Sequence, residues 1–311
     1  MYKNHTIAVV VPAYREENHI ADVIATMPAI VDHILVVDDA SPDRTYAVAT
    51  AAADPRTEVL QHAENQGVGG AIITGHKRAL ELGADVNVVM AGDGQMDVSY
   101  LPQLLDPIVD DGYGFSKANR LFSTSSFAGM PRHRIFGNVV LTFLTKISSG
   151  YWNLVDPQNG YTAVSKEALA RVPLDRVAKR YEFENDLLIW LNIADVRAID
   201  VPIPAIYGSE VSGIKLHKVV PRLVGTLLSG FWRRFWLKYV LWSFSPIALL
   251  MLLGLPLFLF GVITGVWAIA VSLSEPASVS TGTWLLAVAP TLVGIQFLLQ
   301  AFVLDIEATP K

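Results

Sequence analysis

The chain has 311 residues, of which 52% are hydrophobic and 17% charged, with a formal net charge of −5 and no cysteine. This length suits one α/β domain of about 200 residues together with an additional segment. The negative charge argues against a nucleic-acid partner, which would require a basic face. The lack of cysteine excludes disulfides, thiolate metal sites and a cysteine nucleophile.

Short apolar runs alternate with helical patterns in the N-terminal part of the chain. Runs rich in β-branched residues predict strands at 7–11, 34–37, 58–61 and 86–90, with helices at 17–27, 45–53 and 69–82. Alternating βαβα elements with uninterrupted apolar strands predict a mostly parallel sheet with helices on both faces. In such a sheet, ligands bind beyond the carboxyl ends of the strands.

Acidic or glycine-rich loops follow all four of these strands, at residues 12–18, 38–43, 63–70 and 91–97. Any one of them is explained by turn or cap chemistry, and Asp97 is expected to cap a helix that begins near Ser99. Four such loops on one edge of a sheet predict a binding site instead.

The middle of the chain adds a basic helix that begins with Arg132 and Arg134, an acidic-headed helix at 181–191 and a late strand at 195–204. Glu182 and Asp186 are four residues apart and share one face of the acidic-headed helix, whereas Glu184 points elsewhere. Residues 216–239 mix basic and aromatic side chains, which predicts amphipathic helices lying in a membrane interface.

Two stretches, 239–274 and 279–304, contain no Asp, Glu, Lys or Arg. Each has roughly the 20 apolar residues that a helix needs to cross a bilayer core about 30 Å thick. A buried hairpin of a soluble protein would rarely be apolar on every face. We therefore predict two transmembrane helices, at about 244–273 and 283–304.

Basic residues flank these spans unevenly. Arg233, Arg234 and Lys238 precede the first span and Lys311 follows the second, whereas the connecting loop carries only Glu275. The positive-inside rule therefore predicts that the N-terminal domain faces the cytoplasm. The apolar run at 7–11 is too short for a signal peptide, which agrees with this expectation.

Oxygen-bearing side chains at the predicted sheet edge suit a divalent cation. Asp93 and Gln95 follow the fourth strand, and Mg²⁺ or Mn²⁺ binds one or two carboxylates while substrate phosphates complete its shell. Such an ion would stabilise a leaving diphosphate. Asp38 and Asp39 follow the second strand, where a carboxylate or a backbone carbonyl could hold a base or ribose.

Three motifs carry a family resemblance: residues 11–17 (VPAYREE), 36–45 (VVDDASPDRT) and 92–95 (GDGQ). In this order and spacing they resemble the family-2 inverting glycosyltransferases, and among these the polyprenyl-phosphate branch. The resemblance extends from about residue 7 to 215. It implies a GT-A-like nucleotide-diphospho-sugar transferase fold.

The resemblance also implies roles for individual residues. The donor nucleotide-sugar would be held by Pro12, Ala13, Tyr14, Glu16, Asp38, Asp39, Arg120 and Lys215, and by the metal loop of Ala91, Asp93 and Gln95. Asp93 and Gln95 would bind the metal. Ala91 stands where the family usually has its first aspartate, so one metal-binding carboxylate is lost.

On the acceptor side, the resemblance implies that arginines contact the phosphates and that an acidic residue faces the acceptor. These residues are Arg132, Arg134 and Asp186, which with Asp93 form the expected catalytic set. Arginine presents forked donors that match phosphate oxygens. With a phosphate acceptor, Asp186 is expected to orient arginines or sugar hydroxyls, not to remove a proton.

The expected reaction is transfer of a hexose, glucose or mannose, from an NDP-sugar to a polyprenyl phosphate with inversion. The expected domains are 1–215 (catalytic), 216–239 (interfacial) and 240–306 (membrane), and a homo-oligomer is left open. Two alternatives also stay open: a family-2 transferase acting on a hydroxyl acceptor, and a non-catalytic scaffold subunit.

Overall fold

A computed structural model describes residues 1–122, 132–204, 216–274 and 279–310, and for residues 132–136 and 216–218 it describes the backbone alone. The chain forms two compact units, Met1–Phe231 and Trp232–Thr309. The first contains an α/β sheet and the second contains the long apolar helices.

A seven-stranded sheet forms the centre of the first unit. The strands are β1 (Ile7–Ala13), β2 (His33–Asp38), β3 (Thr57–Gln61), β4 (Val86–Val89), β5 (Phe115–Asn119), β6 (Thr162–Ser165) and β7 (Ala198–Pro202). Their spatial order is β3-β2-β1-β4-β6-β5-β7. The sequence predicted β1 to β4 and β7, but it did not predict β5 and β6.

Six of the seven strands run in one direction. β1 pairs in parallel with β2 and β4, β2 with β3, and β5 with β7. β6 lies antiparallel to both β4 and β5. Because β6 is antiparallel to both β4 and β5, these two strands run in the same direction and their carboxyl ends lie at the same edge of the sheet. This arrangement confirms the mostly parallel fold class.

Helices connect these strands within the first unit. They are α1 (Ile20–Ala25), α2 (Thr45–Ala52), α3 (Val68–Glu81), α4 (Leu101–Val109), α5 (Arg132–Ser149), α6 (Lys166–Ala170), α7 (Phe183–Ile193) and the beginning of α8 (Leu216–Arg234).

Alternate residues of β1 belong to different layers of the core. Ile7, Val9 and Val11 pack in a cluster with residues of α1 and α4. Ala8 and Val10 pack in a second cluster with Leu35 and Ala79. Because both faces are covered, every residue of β1 is buried, which explains its uninterrupted apolar sequence.

The second unit consists of a π-helical segment (Phe235–Trp242) and two long helices, α9 (Pro246–Ser274) and α10 (Thr281–Glu307). In the most apolar 18-residue segment of each helix, only 22% (α9) and 17% (α10) is buried, so most of the apolar surface is exposed. Both helices are long and apolar enough to cross a membrane. A core helix of a soluble protein would be mostly buried.

Small residues bring α9 and α10 into close antiparallel contact. A Cβ atom at Gly261 would lie 2.6 Å from the backbone nitrogen of Thr291, and one at Gly294 would lie 2.5 Å from that of Phe258. Such distances leave no room for a methyl group. The two glycines therefore allow the helix backbones to pack directly against each other.

A buried polar cluster lies at the base of this hairpin. The Arg234 guanidinium donates to Asp305 Oδ1 at 2.6 Å and Oδ2 at 3.1 Å, and to the Tyr239 hydroxyl at 2.8 Å. The Tyr239 hydroxyl also donates to Asp305. An ion pair therefore joins the end of α8 to the end of α10, and the Tyr239 hydroxyl from the π-helical segment completes the cluster.

Candidate active site

The loops after β1 and β4 meet at Gly92. Its backbone nitrogen donates to Pro12 O at 3.2 Å. A Cβ atom at Gly92 would lie 3.4 Å from the Ala13 Cβ and 3.5 Å from the Glu16 Cγ. Glu16 is therefore next to the predicted metal loop, as expected for loops that share one edge of the sheet.

The loops after β1 and β2 are also joined. Asp39 N donates to Ala13 O at 2.9 Å, and Glu16 N donates to Thr45 Oγ1 at 2.8 Å. Tyr14, between these contacts, exposes its ring to solvent. An exposed ring beside two fixed loops could stack on a nucleobase.

Asp38 and Asp39, predicted to hold the nucleotide, are both buried. Asp38 accepts a hydrogen bond from Gln61 Nε2 at 3.1 Å. Asp39 accepts from the backbone nitrogens of Gln66 and Gly67, both at 2.8 Å. The two carboxylates thus fix the loops around them, and the Asp39 carboxylate in particular holds the glycine-rich loop after β3.

His62, which the sequence analysis did not single out, completes the surroundings of Asp39. Its Nδ1 lies 2.8 Å from Asp39 Oδ1, and its Nε2 lies 2.9 Å from Thr74 Oγ1. His62 directly follows β3, and its place at the edge of the sheet was the only signal that could have identified it. The ring links the loop after β2 to α3.

The metal loop is a tight turn after β4. Asp93 Oδ1 accepts a hydrogen bond from Gln95 N at 3.0 Å, and Gly94 between them has φ +71°. Asp97 accepts from Ser99 N at 2.8 Å, which confirms its predicted capping role. Asp97 is therefore occupied by the turn that follows the metal loop.

The oxygen-bearing side chains of Asp93 and Gln95 are suitable ligands for a hard divalent cation whose remaining ligands come from a substrate. Among the residues described, no group of three or more His, Asp or Glu could hold a metal. In the predicted site, the protein would supply one carboxylate oxygen and one amide oxygen. Mg²⁺ is often bound in this way, with phosphates and water completing its shell.

Glu184, in the first turn of α7, lines a small cavity. Lys117, Asn159, Gly160 and Glu184 line the cavity. A Cβ atom at Gly160 would lie 3.7 Å from Met96 Cε and 3.8 Å from Glu184 Oε1, so both side chains adjoin the same backbone. Burial, reinforced by the charge of Glu182, raises the pKa of Glu184 to about 7.

Asp186, predicted to face the acceptor, is buried. Its Oδ2 accepts a hydrogen bond from Ala178 N at 2.9 Å. Glu184 lines the cavity, whereas Asp186 is not among its lining residues. Helix periodicity separates the two faces but cannot identify which of them lines the cavity.

The predicted phosphate-binding cations are described to different extents. Arg120 follows β5, and its Nε lies 2.7 Å from Asp156 Oδ2. Arg132 and Arg134 are in the first turn of α5, where only the backbone is described. Lys215 lies outside the described residues.

Comparison with known proteins gives one family match and several similar relatives. The family described as glycosyl transferase family 2 matches residues 8–172. The UDP-N-acetylglucosamine–dolichyl-phosphate N-acetylglucosaminyltransferase of Methanococcus voltae is 33% identical over 216 residues, covering 65% of this chain and 86% of the relative. The undecaprenyl-phosphate mannosyltransferase of Micrococcus luteus is 31% identical, covering 63% of this chain and 82% of the relative.

Solved structures show the same fold. Glucosyl-3-phosphoglycerate synthase from Mycobacterium tuberculosis, in complex with Mn²⁺, UDP-glucose and phosphoglyceric acid, aligns with a TM-score of 0.57. It is 22% identical, and the alignment covers 73% of this chain and 80% of that chain. At this level of identity the likeness concerns the fold alone.

Proposed function

This chain belongs to glycosyl transferase family 2, and on that premise we propose that it transfers a sugar from an NDP-sugar to a polyprenyl phosphate. The observation that carries the proposal is that the loop after β1 contacts both the loop after β2, at Asp39, and the loop after β4, at Gly92 next to Asp93. Similarity to transferases named for dolichyl and undecaprenyl phosphate supports the acceptor class.

The proposed reaction is a single in-line displacement with inversion. An oxygen of the lipid phosphate forms a bond to the anomeric carbon, while the bond from that carbon to the donor diphosphate breaks and NDP leaves with the electron pair. A phosphomonoester has a second pKa of about 6, so the acceptor is already an anion near neutral pH. No general base has to remove a proton from it.

The chain's own residues bind and orient the two phosphates in this proposal. Asp93 and Gln95 would hold a divalent cation, which when bound supplies positive charge to the leaving diphosphate. Arg120, with Arg132 and Arg134, would bind phosphate oxygens through forked donors. Tyr14 and the loops fixed by Asp38 and Asp39 would receive the nucleotide.

The sugar is proposed as a hexose or an N-acetylhexosamine. Glucose and mannose were expected from the sequence, and the relatives named above add N-acetylglucosamine. In this proposal, Glu184, which adjoins Gly160, accepts hydrogen bonds from sugar hydroxyls.

The exposed surface of α8 suits a helix that lies at the membrane, where a polyprenyl phosphate acceptor is located. Val220, Val224 and Leu228 are spaced four residues apart, and all three are exposed. An exposed apolar stripe on a helix suits an interfacial position. We propose that the catalytic unit faces the cytoplasm, because basic residues precede α9 and are absent from the sequence connecting the spans.

A donor panel tests the substrate class. The full chain in membranes is incubated with labelled UDP-glucose, UDP-N-acetylglucosamine or GDP-mannose, and with undecaprenyl or dolichyl phosphate. We expect one donor to give a labelled lipid that mild acid releases. Label transferred to diacylglycerol, and to neither lipid phosphate, would overturn the proposal in favour of a hydroxyl acceptor.

Asp93→Asn tests the metal loop against a matched neighbour. Asp97→Asn makes the same chemical change four residues away, and an asparagine still caps a helix. We expect Asp93→Asn and chelation by EDTA each to reduce transfer at least about a hundredfold, since metal-bound charge contributes several kcal/mol. Asp97→Asn should keep most activity. Equal losses in the two variants, or activity indifferent to EDTA, would contradict the role of Asp93.

A further inference from the structure

A buried lysine lies under the loop that follows α5. Lys117, in β5, has a side chain only 1% exposed and pairs with Asp200 Oδ1 at 3.0 Å. Its Nζ also donates to Val155 O at 2.6 Å and to Asp156 O at 2.9 Å. Lys117 thereby fixes the backbone of the loop at Asp156 with a charge that is itself paired.

Asp156 passes this constraint to Arg120. Its Oδ2 accepts from Arg120 Nε at 2.7 Å and its Oδ1 accepts from Arg120 Nη2 at 2.9 Å, a two-pronged contact. Arg120 N also donates to Asp156 Oδ2, at 3.2 Å. The carboxylate side chain is 5% exposed, whereas the Arg120 side chain is 38% exposed. The buried Asp156 carboxylate thus binds one edge of the Arg120 guanidinium, and the Arg120 side chain is partly exposed to solvent.

The charges in this pair persist in the folded protein. Burial by itself would raise the pKa of Asp156, but hydrogen bonds from Arg120 and the charges of Arg120 and Lys117 outweigh it and hold that pKa below its ordinary value. Asp156 therefore remains a carboxylate at neutral pH, and the two-pronged contact remains charge-assisted.

The loop that contains Asp156 reaches the metal loop. Gly160, four residues further on, adjoins Met96, and Tyr161 OH donates to Asp97 O at 3.3 Å. The carboxyl ends of β4 and β5 lie at the same edge of the sheet with β6 between them, so Asp93 and Arg120 both follow strands that end at this edge.

We propose that Asp156, held by the buried Lys117, is a positioning residue that fixes the guanidinium of Arg120 for the diphosphate of the donor. The inference rests on the proposed function, in which Arg120 binds phosphate. A free arginine loses rotamer freedom when it binds, and an arginine already held in place does not. Asp156 lowers the net charge of the site but sets the direction of the donors.

A double-mutant cycle on nucleotide binding tests the proposal. The full chain in detergent is titrated calorimetrically with UDP and Mg²⁺, and with GDP and Mg²⁺ in parallel, because both probes carry the diphosphate. Arg120→Ala should weaken binding of the better probe roughly 10- to 100-fold, as expected for lost charged hydrogen bonds. Asp156→Asn should weaken it about 3- to 10-fold.

The decisive comparison is Asp156→Asn in the Arg120→Ala background. If Asp156 acts through Arg120, the second substitution should have no further effect on affinity. A structural role alone would give the same loss in both backgrounds and would overturn the proposal. Wild-type or tighter binding by the single Asp156→Asn variant would overturn it as well.

Two controls keep the outcomes distinct. Asp54→Asn removes the carboxylate from another Arg–Asp pair, in which Arg56 Nε donates to Asp54 Oδ2 at 2.9 Å, and it should leave nucleotide binding unchanged. Asp156 has φ 52°, a conformation that asparagine tolerates, so the Asp156→Asn variant should fold. If Arg120→Ala binds both probes like wild type, the phosphate role of Arg120 is wrong, whatever Asp156 does.

Discussion

The surroundings of Glu184 change the pKa of its carboxyl group. It lies beside Gly160 and lines the same cavity as Lys117, and its pKa is raised to about 7 by burial. The folded protein therefore binds this proton more tightly than the unfolded chain, whose glutamate has a pKa of 4.5. The stabilisation from Glu184 is complete below pH 4.5 and is lost as pH rises through about 7.

We predict that Glu184→Gln flattens the dependence of thermal stability on pH between about 5 and 8. Glutamine has nearly the same shape and cannot ionise, so the variant should gain stability relative to wild type as pH rises. Melting temperatures measured across this range check the prediction. Glu167→Gln, at an exposed position of α6, serves as control and should show the same pH dependence of melting temperature as wild type. If wild type, Glu184→Gln and Glu167→Gln all show the same dependence, the raised pKa of Glu184 is contradicted.

The sequence identified the neighbourhood of the site better than it identified side-chain directions. The loops after β1, β2 and β4 do meet, because parallel strands end at one edge. Asp39 and Asp186 nevertheless turn towards backbone nitrogens, and Glu184 turns into the cavity. The sequence does not indicate whether an Asp or Glu carboxylate binds backbone nitrogens or a ligand, because that depends on how the surrounding residues pack.

At the scale of elements, β1 to β4 were predictable because they are runs of β-branched residues. β5 and β6 were not. β5 contains the buried polar residues Ser116 and Lys117, which interrupt an apolar strand pattern, and β6 spans only Thr162–Ser165. Their pairing is antiparallel and joins residues far apart in sequence, so no local periodicity reports it.

The hairpin of α9 and α10 depends on close helix packing. We predict that Gly261→Ala destabilises it by about 1–3 kcal/mol, because a methyl group would meet the backbone of α10 and force the helices apart. Gly265→Ala is the matched control, since its methyl group would lie at an ordinary 3.6 Å from the Ala287 Cβ. Thermal unfolding of the detergent-solubilised chain compares them, and equal melting temperatures would refute the packing argument.

At the scale of the whole molecule, the chain joins a catalytic fold to an apolar unit. We predict that ending the chain at Phe231, just before the second unit begins at Trp232, lowers kcat/KM for long-chain polyprenyl phosphate in vesicles by about a hundredfold or more. A lipid anchor replaces a search in three dimensions by a lateral one. Activity on a water-soluble short-chain phosphate should change little, and equal losses on both acceptors would argue against anchoring.

The Arg234–Asp305 pair makes a second prediction at this scale. Arg234→Met should destabilise the second unit by about 3–5 kcal/mol, because it leaves Asp305 buried without its partner. The double variant Arg234→Met, Asp305→Leu should recover most of that loss, since apolar residues fill the same space. Unfolding in detergent measures both, and a double variant less stable than the single one would contradict this account.

The same pair bears on how the protein is made. Arg234 leaves the ribosome 71 residues before Asp305, and the two can meet only after both apolar helices have been synthesised and folded back on each other. A nascent chain with a single helix inserted presents an unmatched cation at its base. The Arg234–Asp305 pair can therefore form only in a chain that has completed both apolar helices.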